Sequence, residues 1–280
     1  MTEGGAAPGL GVVALTLYPV KSLAGVAVET AAVDRRGLVG DRHWAVVDPV
    51  GGKVTAREVP AMLGLLARPE GAGGIRLEDR DGGSLSLRPD PDAGETVVSF
   101  SGQASARVAG PQADAWLSAR LGRALRLVWQ DESVVRPVRV EMGGREGDTN
   151  SFSDAAPLHV TTEASLDQLN AWLAESGVDP LGHDRFRPNV VVAGGAAFDE
   201  DAWQSVRIGE VGYRSTMICD RCVMTTIDRQ SLRGAKEPIR TLARHRRWEG
   251  ATWFGIRLTP KLPVPAGAMI AVGDEVIPHS

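Results

Sequence analysis

Turn-forming residues divide this chain into short pieces. The 280 residues include 33 glycines and 17 prolines, well above the about 12% of average usage, and they recur as punctuation between apolar runs of strand length. Val12–Tyr18 stops at Pro19, Val26–Val33 runs into a turn around Gly37, and Trp44–Asp48 stops at Pro49 with Gly51-Gly52 behind it. Each run is β-branched enough for a sheet. Gly64–Ala67, Gly74–Leu77, Ser84–Leu87, Thr96–Phe100 and Ala104–Val108 follow the same pattern. The first hundred residues therefore read as a β-rich unit.

Helical periodicity begins at Pro111, where Ala113, Trp116, Leu117 and Leu121 fall on one 3.6-residue face and Gly122 supplies a stop. Leu125–Trp129 reads as a strand. Glu132–Asn150 is polar and contains Gly143, Gly144 and Gly147, which predicts a mobile connection. The clearest helix spans Glu163 to Ser176, with Leu166, Leu169, Trp172 and Leu173 as its apolar stripe, Thr162 as cap and Gly177 past its end. Asn189–Ala193, Ser205–Ile208 and Val211–Met217 read as strands, the last two joined at Gly209-Glu210. Pro238 opens a short helix through Ile239, Leu242 and Ala243, and strands follow near Thr252–Leu258 and Ala268–Val272. No internal repeat is present, and the Gly/Ala-rich N-terminus reads as disordered.

Composition narrows the class. Hydrophobic residues make up 43% and charged residues 24%, as in an ordinary globular protein, and the length suits one large domain or two modest ones. A net charge of −4 leaves no global positive field for a nucleic-acid backbone. No apolar run approaches the ~20 residues of a membrane span, and Met1 to Leu10 carries Glu3 without a basic or apolar leader pattern. The expectation is a cytoplasmic protein with neither nucleic acid nor membrane as partner.

The two cysteines, Cys219 and Cys222, form a Cys-Asp-Arg-Cys segment just past a strand. They are too few for a disulfide-built scaffold. Cys-x-x-Cys supports a dithiol redox couple, half of a zinc site, or one thiolate presented to a metal or cofactor. A second cysteine pair and a His-x₃₋₅-His are both missing from the sequence, and Val223–Asp228 after the motif reads as β rather than as the helix of a thioredoxin-like couple. Two small buried core residues are the plain alternative.

Cations cluster around this segment. Arg229, Arg233, Lys236, Arg240, Arg244, Arg246 and Arg247 stand against Glu237 alone among acids between positions 229 and 247. Such a run is a solvated face or a docking surface for an acidic redox protein. Lys21 in Pro19-Val20-Lys21-Ser22, Arg42 in Gly40-Asp41-Arg42-His43-Trp44, and Arg185 and Arg187 in Arg185-Phe186-Arg187-Pro188-Asn189 all lie beside strands. Converging, they suit a planar, anionic ligand. Walker-type and Gly-x-Gly-x-x-Gly patterns are absent.

These segments together resemble a known family. Tyr18–Ser22, Gly37–Trp44 and Thr55-Ala56-Arg57-Glu58 resemble the MOSC N-terminal β-barrel, and Ser153–Leu158, Thr162–Leu166, Phe186–Asn189 and Cys219–Asp228 resemble the MOSC domain. Their order is similar to that in the amidoxime-reducing components. The resemblance implies an α+β, β-rich fold: an N-terminal β-barrel-like domain over 11–130, a connecting loop over 131–150, and a MOSC β-barrel domain with peripheral helices over 151–277. It implies a molybdenum cofactor (Mo-molybdopterin) with Cys222 as metal ligand and catalytic centre. Lys21, Ser22 and Arg42 match one half of the cofactor pocket, and Thr162, Ser165, Arg187 and Asn189 the other, with Arg221 beside the ligand. Asp220 stands where the family has serine, and a carboxylate there repels a phosphate unless paired with Arg221 or turned outward. The implied activity is reduction of small N-hydroxylated compounds, with electrons from a separate redox protein because the 280 residues hold no Cys₄ set. A cofactor or sulfur carrier without turnover is the alternative.

Overall fold

Seven strands close into a barrel in a computed structural model that describes residues 9–280; the start of the chain expected to be disordered lies outside the described residues. Around the barrel the order is Leu158–Thr162, Val190–Ala193, Leu10–Leu17, Glu275–His279, Ser205–Ile208, Val211–Asp220 and Ala251–Pro260, which pairs again with Leu158–Thr162. All neighbours are antiparallel except Leu158–Thr162 and Val190–Ala193, which run parallel with Val160 opposite Val190. Parallel neighbours need a crossover. Helix α2, Glu163–Ala174, provides it.

Alternation along these strands sends Leu15, Val160, Ile208, Tyr213 and Ile256, each 1% exposed or less, into one apolar cluster. The rest of the chain forms a half-barrel. Trp44–Val47, Arg126–Trp129, Gln103–Val108 and Glu95–Phe100 make an antiparallel sheet, beside a meander of Leu66–Glu70, Gly74–Glu78 and Ser84–Leu87. Helix α1, Pro111–Leu121, buries Ala113 and Leu117 in the cluster that contains Trp44 and Leu127.

Chain order and spatial order differ at one point that matters for the site. The first strand, Leu10–Leu17, lies between two strands from the far end of the chain, with Val12 opposite Val192 and Leu10 opposite Val276. The chain then crosses to the half-barrel where Val20 bridges Trp44. Lys21 and Ser22 are thereby delivered to the seam between the two bodies.

Two expectations are corrected. Glu132–Asn150 is pinned rather than mobile: Arg136 is 5% exposed and Val138 3%, and the Arg136 guanidinium donates to the carbonyls of Ser101 at 2.8 Å and Ser153 at 2.9 Å. A buried guanidinium needs such acceptors, and they tie the segment to both bodies. Val223–Thr226 is a 3-10 turn instead of a strand. The Thr225 hydroxyl donates to the Cys222 carbonyl at 3.0 Å and that of Thr226 to Val223 at 2.7 Å, which favours a turn over a ladder. The short helix after Pro238 is α3, Ile239–His245. Among the described residues no helix is long and apolar enough to cross a membrane.

Candidate functional site

A cavity of about 230 Å³ opens at the seam. Lys21, Ser22, Arg42, Arg187, Asn189, Arg221 and Cys222 all line it, from segments up to two hundred residues apart. Three of them carry left-handed backbone: Ser22 at φ 70°, Arg42 at 51° and Arg187 at 57°. Such strain in non-glycine residues persists where surrounding structure enforces it, and it concentrates at binding sites.

Thr162 and Ser165, expected in the second half of the pocket, are elsewhere. They are 1% and 0% exposed. Thr162 caps α2 by accepting the Ser165 N–H at 3.1 Å, and the Ser165 hydroxyl donates to both oxygens of buried Glu200 at 2.7 and 2.8 Å. Burial pushes the Glu200 carboxyl up, against these hydrogen bonds. Both hydroxyls are consumed in holding the helix to the loop beneath it.

Strand alternation sorts the Cys-Asp-Arg-Cys segment. The strand runs through Asp220 and Cys222 stays extended at φ −113°, ψ 174°, so residues two apart share a side. Cys219 and Arg221 turn inward, where an Arg221 N–H donates to the Cys219 sulfur at 2.7 Å. Cys222 is exposed and Cys219 buried, and both are free thiols. Of the two arrangements the sequence left open for Asp220, pairing with Arg221 or turning outward, the structure shows the outward one: the side chain is 46% exposed and its partner is Arg257.

Cations dominate the walls. The Arg42 guanidinium lies 4.3 Å and that of Arg187 4.2 Å from the centre of the Tyr18 ring, an arrangement that holds both planes in fixed orientation. Arg42 also donates to Asn189 Oδ1 at 2.8 Å and to Asp41 at 2.5 Å. Among the described residues no carboxylate lies within ion-pair distance of Arg187 or Arg221. Burial, with repulsion from Arg42 and Arg229, brings Arg187 down to about 10 against the pull of Tyr18 and Asp41. The Nε of Arg221 is buried with no acceptor among the described residues.

Four polar residues among the others that line the cavity shape its electrostatics: Arg57, Asp154, His159 and Arg257. Asp154 accepts from Lys21 at 2.6 Å through one oxygen and from Arg57 at 2.8 Å through the other. Burial would raise its carboxyl, but Lys21 and then Arg57 outweigh that and hold it well below the usual range. The Arg57 guanidinium faces both Asp154 and Cys222, and against the cost of burial these two neighbours raise its pKa. Burial, Arg221 and Arg257 hold His159 well below the ordinary imidazole value, so the ring is neutral. Its Nε2 faces an Arg221 N–H at 3.3 Å and therefore accepts, which leaves the proton on Nδ1. The ring fits because Gly255, at φ 72°, lacks a Cβ that would stand 2.8 Å from Nε2 and 2.6 Å from the Val160 carbonyl oxygen. Of these four, only Arg57 and Asp154 fall within the resembling motifs, and no local spacing marks any of them as a site residue.

The cationic stretch after the cysteines divides. Arg240 pairs with Glu237 at 2.5 Å. Arg246 is largely buried, pairs with Asp201 and stacks 4.1 Å over Phe198. Arg244 and Arg247 remain exposed.

Comparison with known proteins identifies the family. The MOSC N-terminal beta barrel domain matches residues 10–124 and the MOSC domain residues 147–277. Mitochondrial amidoxime-reducing component 1 of Xenopus laevis is 32% identical over 279 residues, covering 94% of this chain and 80% of that protein. The protein of the same name from Danio rerio is 34% identical over 83% of this chain and 73% of its own length. Molybdenum cofactor sulfurase of Arabidopsis thaliana is 30% identical over 94% of this chain, which spans only 35% of that longer protein. Two domain matches in order, and a relative aligned over most of both chains, establish that this chain belongs to the MOSC family.

Proposed function

We propose that this protein is a molybdenum-cofactor-dependent reductase of N-hydroxylated compounds, with Cys222 as the thiolate the chain gives to the metal. One observation carries the reading: a single accessible thiol stands in a cavity whose cations Arg187 and Arg221 lack counter-charges among the described residues. Among the described residues no three His, Cys, Asp or Glu side chains gather to hold a metal, so a metal on Cys222 needs further ligands from an organic group. A dithiolene-bearing pterin offers soft sulfur, which suits the same polarizable metals as a thiolate. The unpaired guanidiniums and the unbonded Arg221 Nε suit its phosphate and ring edges. The residues present fit such a group.

Lys21, Ser22, Arg42, Arg187, Asn189 and Arg221 would hold the pterin, and Cys222 the metal. When bound, the cofactor supplies the two-electron couple and the centre that accepts oxygen. The chain's residues set the surroundings. Arg57 keeps positive charge beside the Cys222 sulfur. Neutral His159 adds no positive charge to a wall already rich in it. In the net reaction the N–O bond breaks, two electrons from a separate redox protein and two protons are taken up, and the parent N–H compound and water leave.

Similarity to the amidoxime-reducing components over most of the chain supports the substrate class. Similarity to the sulfurase supports a second reading, a cofactor or sulfur carrier without turnover. Reduction of benzamidoxime to benzamidine by an artificial donor separates them. The purified protein should catalyse it, Cys222→Ser should abolish it, and Cys219→Ala should keep most of it. Equal loss from both substitutions points to a dithiol mechanism, and bound cofactor without reduction points to the carrier.

A further inference from the structure

We infer that Asp220 selects, among N-hydroxylated substrates, those with an amino group on the carbon that bears the N–OH nitrogen, such as amidoximes and N-hydroxyguanidines, over hydroxamic acids, which carry a carbonyl oxygen there. The inference rests on the reading above and deepens it. Backbone geometry is the starting point. In extended chain, residues two apart lie about 6.6 Å apart on one side, and Asp220 and Cys222 are both exposed and both line the cavity. A substrate reacting at a centre on Cys222 therefore lies within reach of the Asp220 carboxylate.

That carboxylate is fixed and half open. Asp220 Oδ1 accepts from Arg257, while Oδ2 has no protein partner among the described residues, and the side chain is 46% exposed. Arg257 is itself anchored, 12% exposed and 3.2 Å from the Met217 sulfur. The other carboxylate of the cavity, Asp154, has both oxygens engaged by Lys21 and Arg57. Asp220 Oδ2 is thus the carboxylate oxygen of the cavity left without a protein partner among the described residues.

An ionised carboxylate only accepts hydrogen bonds. An amidoxime places an NH₂ group on the carbon that bears the N–OH, and its amidine product is a cation that pairs with a carboxylate. A hydroxamic acid places a carbonyl oxygen at the equivalent position, so two acceptors oppose each other. Hydrogen bonds to charged groups are strong enough to change binding at least about tenfold.

The test uses holoprotein, an artificial one-electron donor, and wild type beside Asp220→Asn and Asp220→Glu. For Asp220→Asn, kcat/KM for benzamidoxime should fall at least about tenfold while that for benzohydroxamic acid changes less than about twofold; Asp220→Glu should retain part of the preference. Benzamidine binding, followed by calorimetry without turnover, should weaken at least about tenfold in Asp220→Asn. An unchanged ratio of the two kcat/KM values, equal losses for both substrates, or unaltered benzamidine binding overturns the inference. Wild-type protein that carries molybdenum and reduces neither substrate overturns the parent reading, while the calorimetric arm still judges Asp220.

Discussion

Arg42 donates to the side-chain oxygen of Asn189 at 2.8 Å, joining positions 147 apart in sequence. The same oxygen accepts the His159 backbone N–H at 3.2 Å, and the Asn189 amide donates to the Thr16 carbonyl at 3.1 Å. Asn189 is 1% exposed, so water has little access to these groups. Asn189→Leu takes a partner from three groups, of which Arg42 keeps Asp41, at about 1–3 kcal/mol for each group that finds no substitute. Chemical denaturation of the apoprotein should show a loss of about 3 kcal/mol or more. A loss below about 1 kcal/mol would mean the clamp is redundant.

Thr162 tests the boundary of the cavity. Its hydroxyl caps α2 and does not reach the cavity, so Thr162→Ala should cost about 1 kcal/mol of stability while pterin content stays at the wild-type level. Fluorescence of the released, oxidised pterin measures the second quantity. Loss of pterin at unchanged stability would return Thr162 to the binding site.

The pH dependence of folding reports on His159. Burial and two guanidiniums keep it neutral when folded, whereas an unfolded histidine gains a proton below about 6.5. Below that pH the unfolded state binds more protons, and stability falls as pH drops, by up to about 1.4 kcal/mol per pH unit. Burial shifts His43 and His183 in the same direction, so the difference between wild type and His159→Gln isolates one residue. Between pH 7 and pH 5 the variant should lose less stability than wild type. Parallel curves would show that His159 is charged in the folded protein.

Local pattern carried the sequence reading where structure is local. The apolar stripe and turn signals of α1 and α2 are contained within a dozen residues, and the structure places them at Pro111–Leu121 and Glu163–Ala174. Alternation marks Val12–Leu17 as a strand but says nothing of its neighbours, which are Val190–Ala193 and Glu275–His279. The β-branched run Val223–Thr226 reads as a strand because propensity ignores threonine hydroxyls that bond back to the chain. Seven of the nine residues named from the motifs line the cavity, yet motif membership did not distinguish Arg187, which faces the cavity, from Ser165, which faces Glu200. Arg57 and Asp154 carry no local signature as partners because their ion pair spans 97 positions.

The most direct measurement is elemental analysis of the protein purified from a host that makes the molybdenum cofactor, alongside Cys222→Ser. The account predicts about one molybdenum per chain in the wild type and little in the variant. A wild-type protein free of molybdenum, or a variant that holds as much as the wild type, contradicts it.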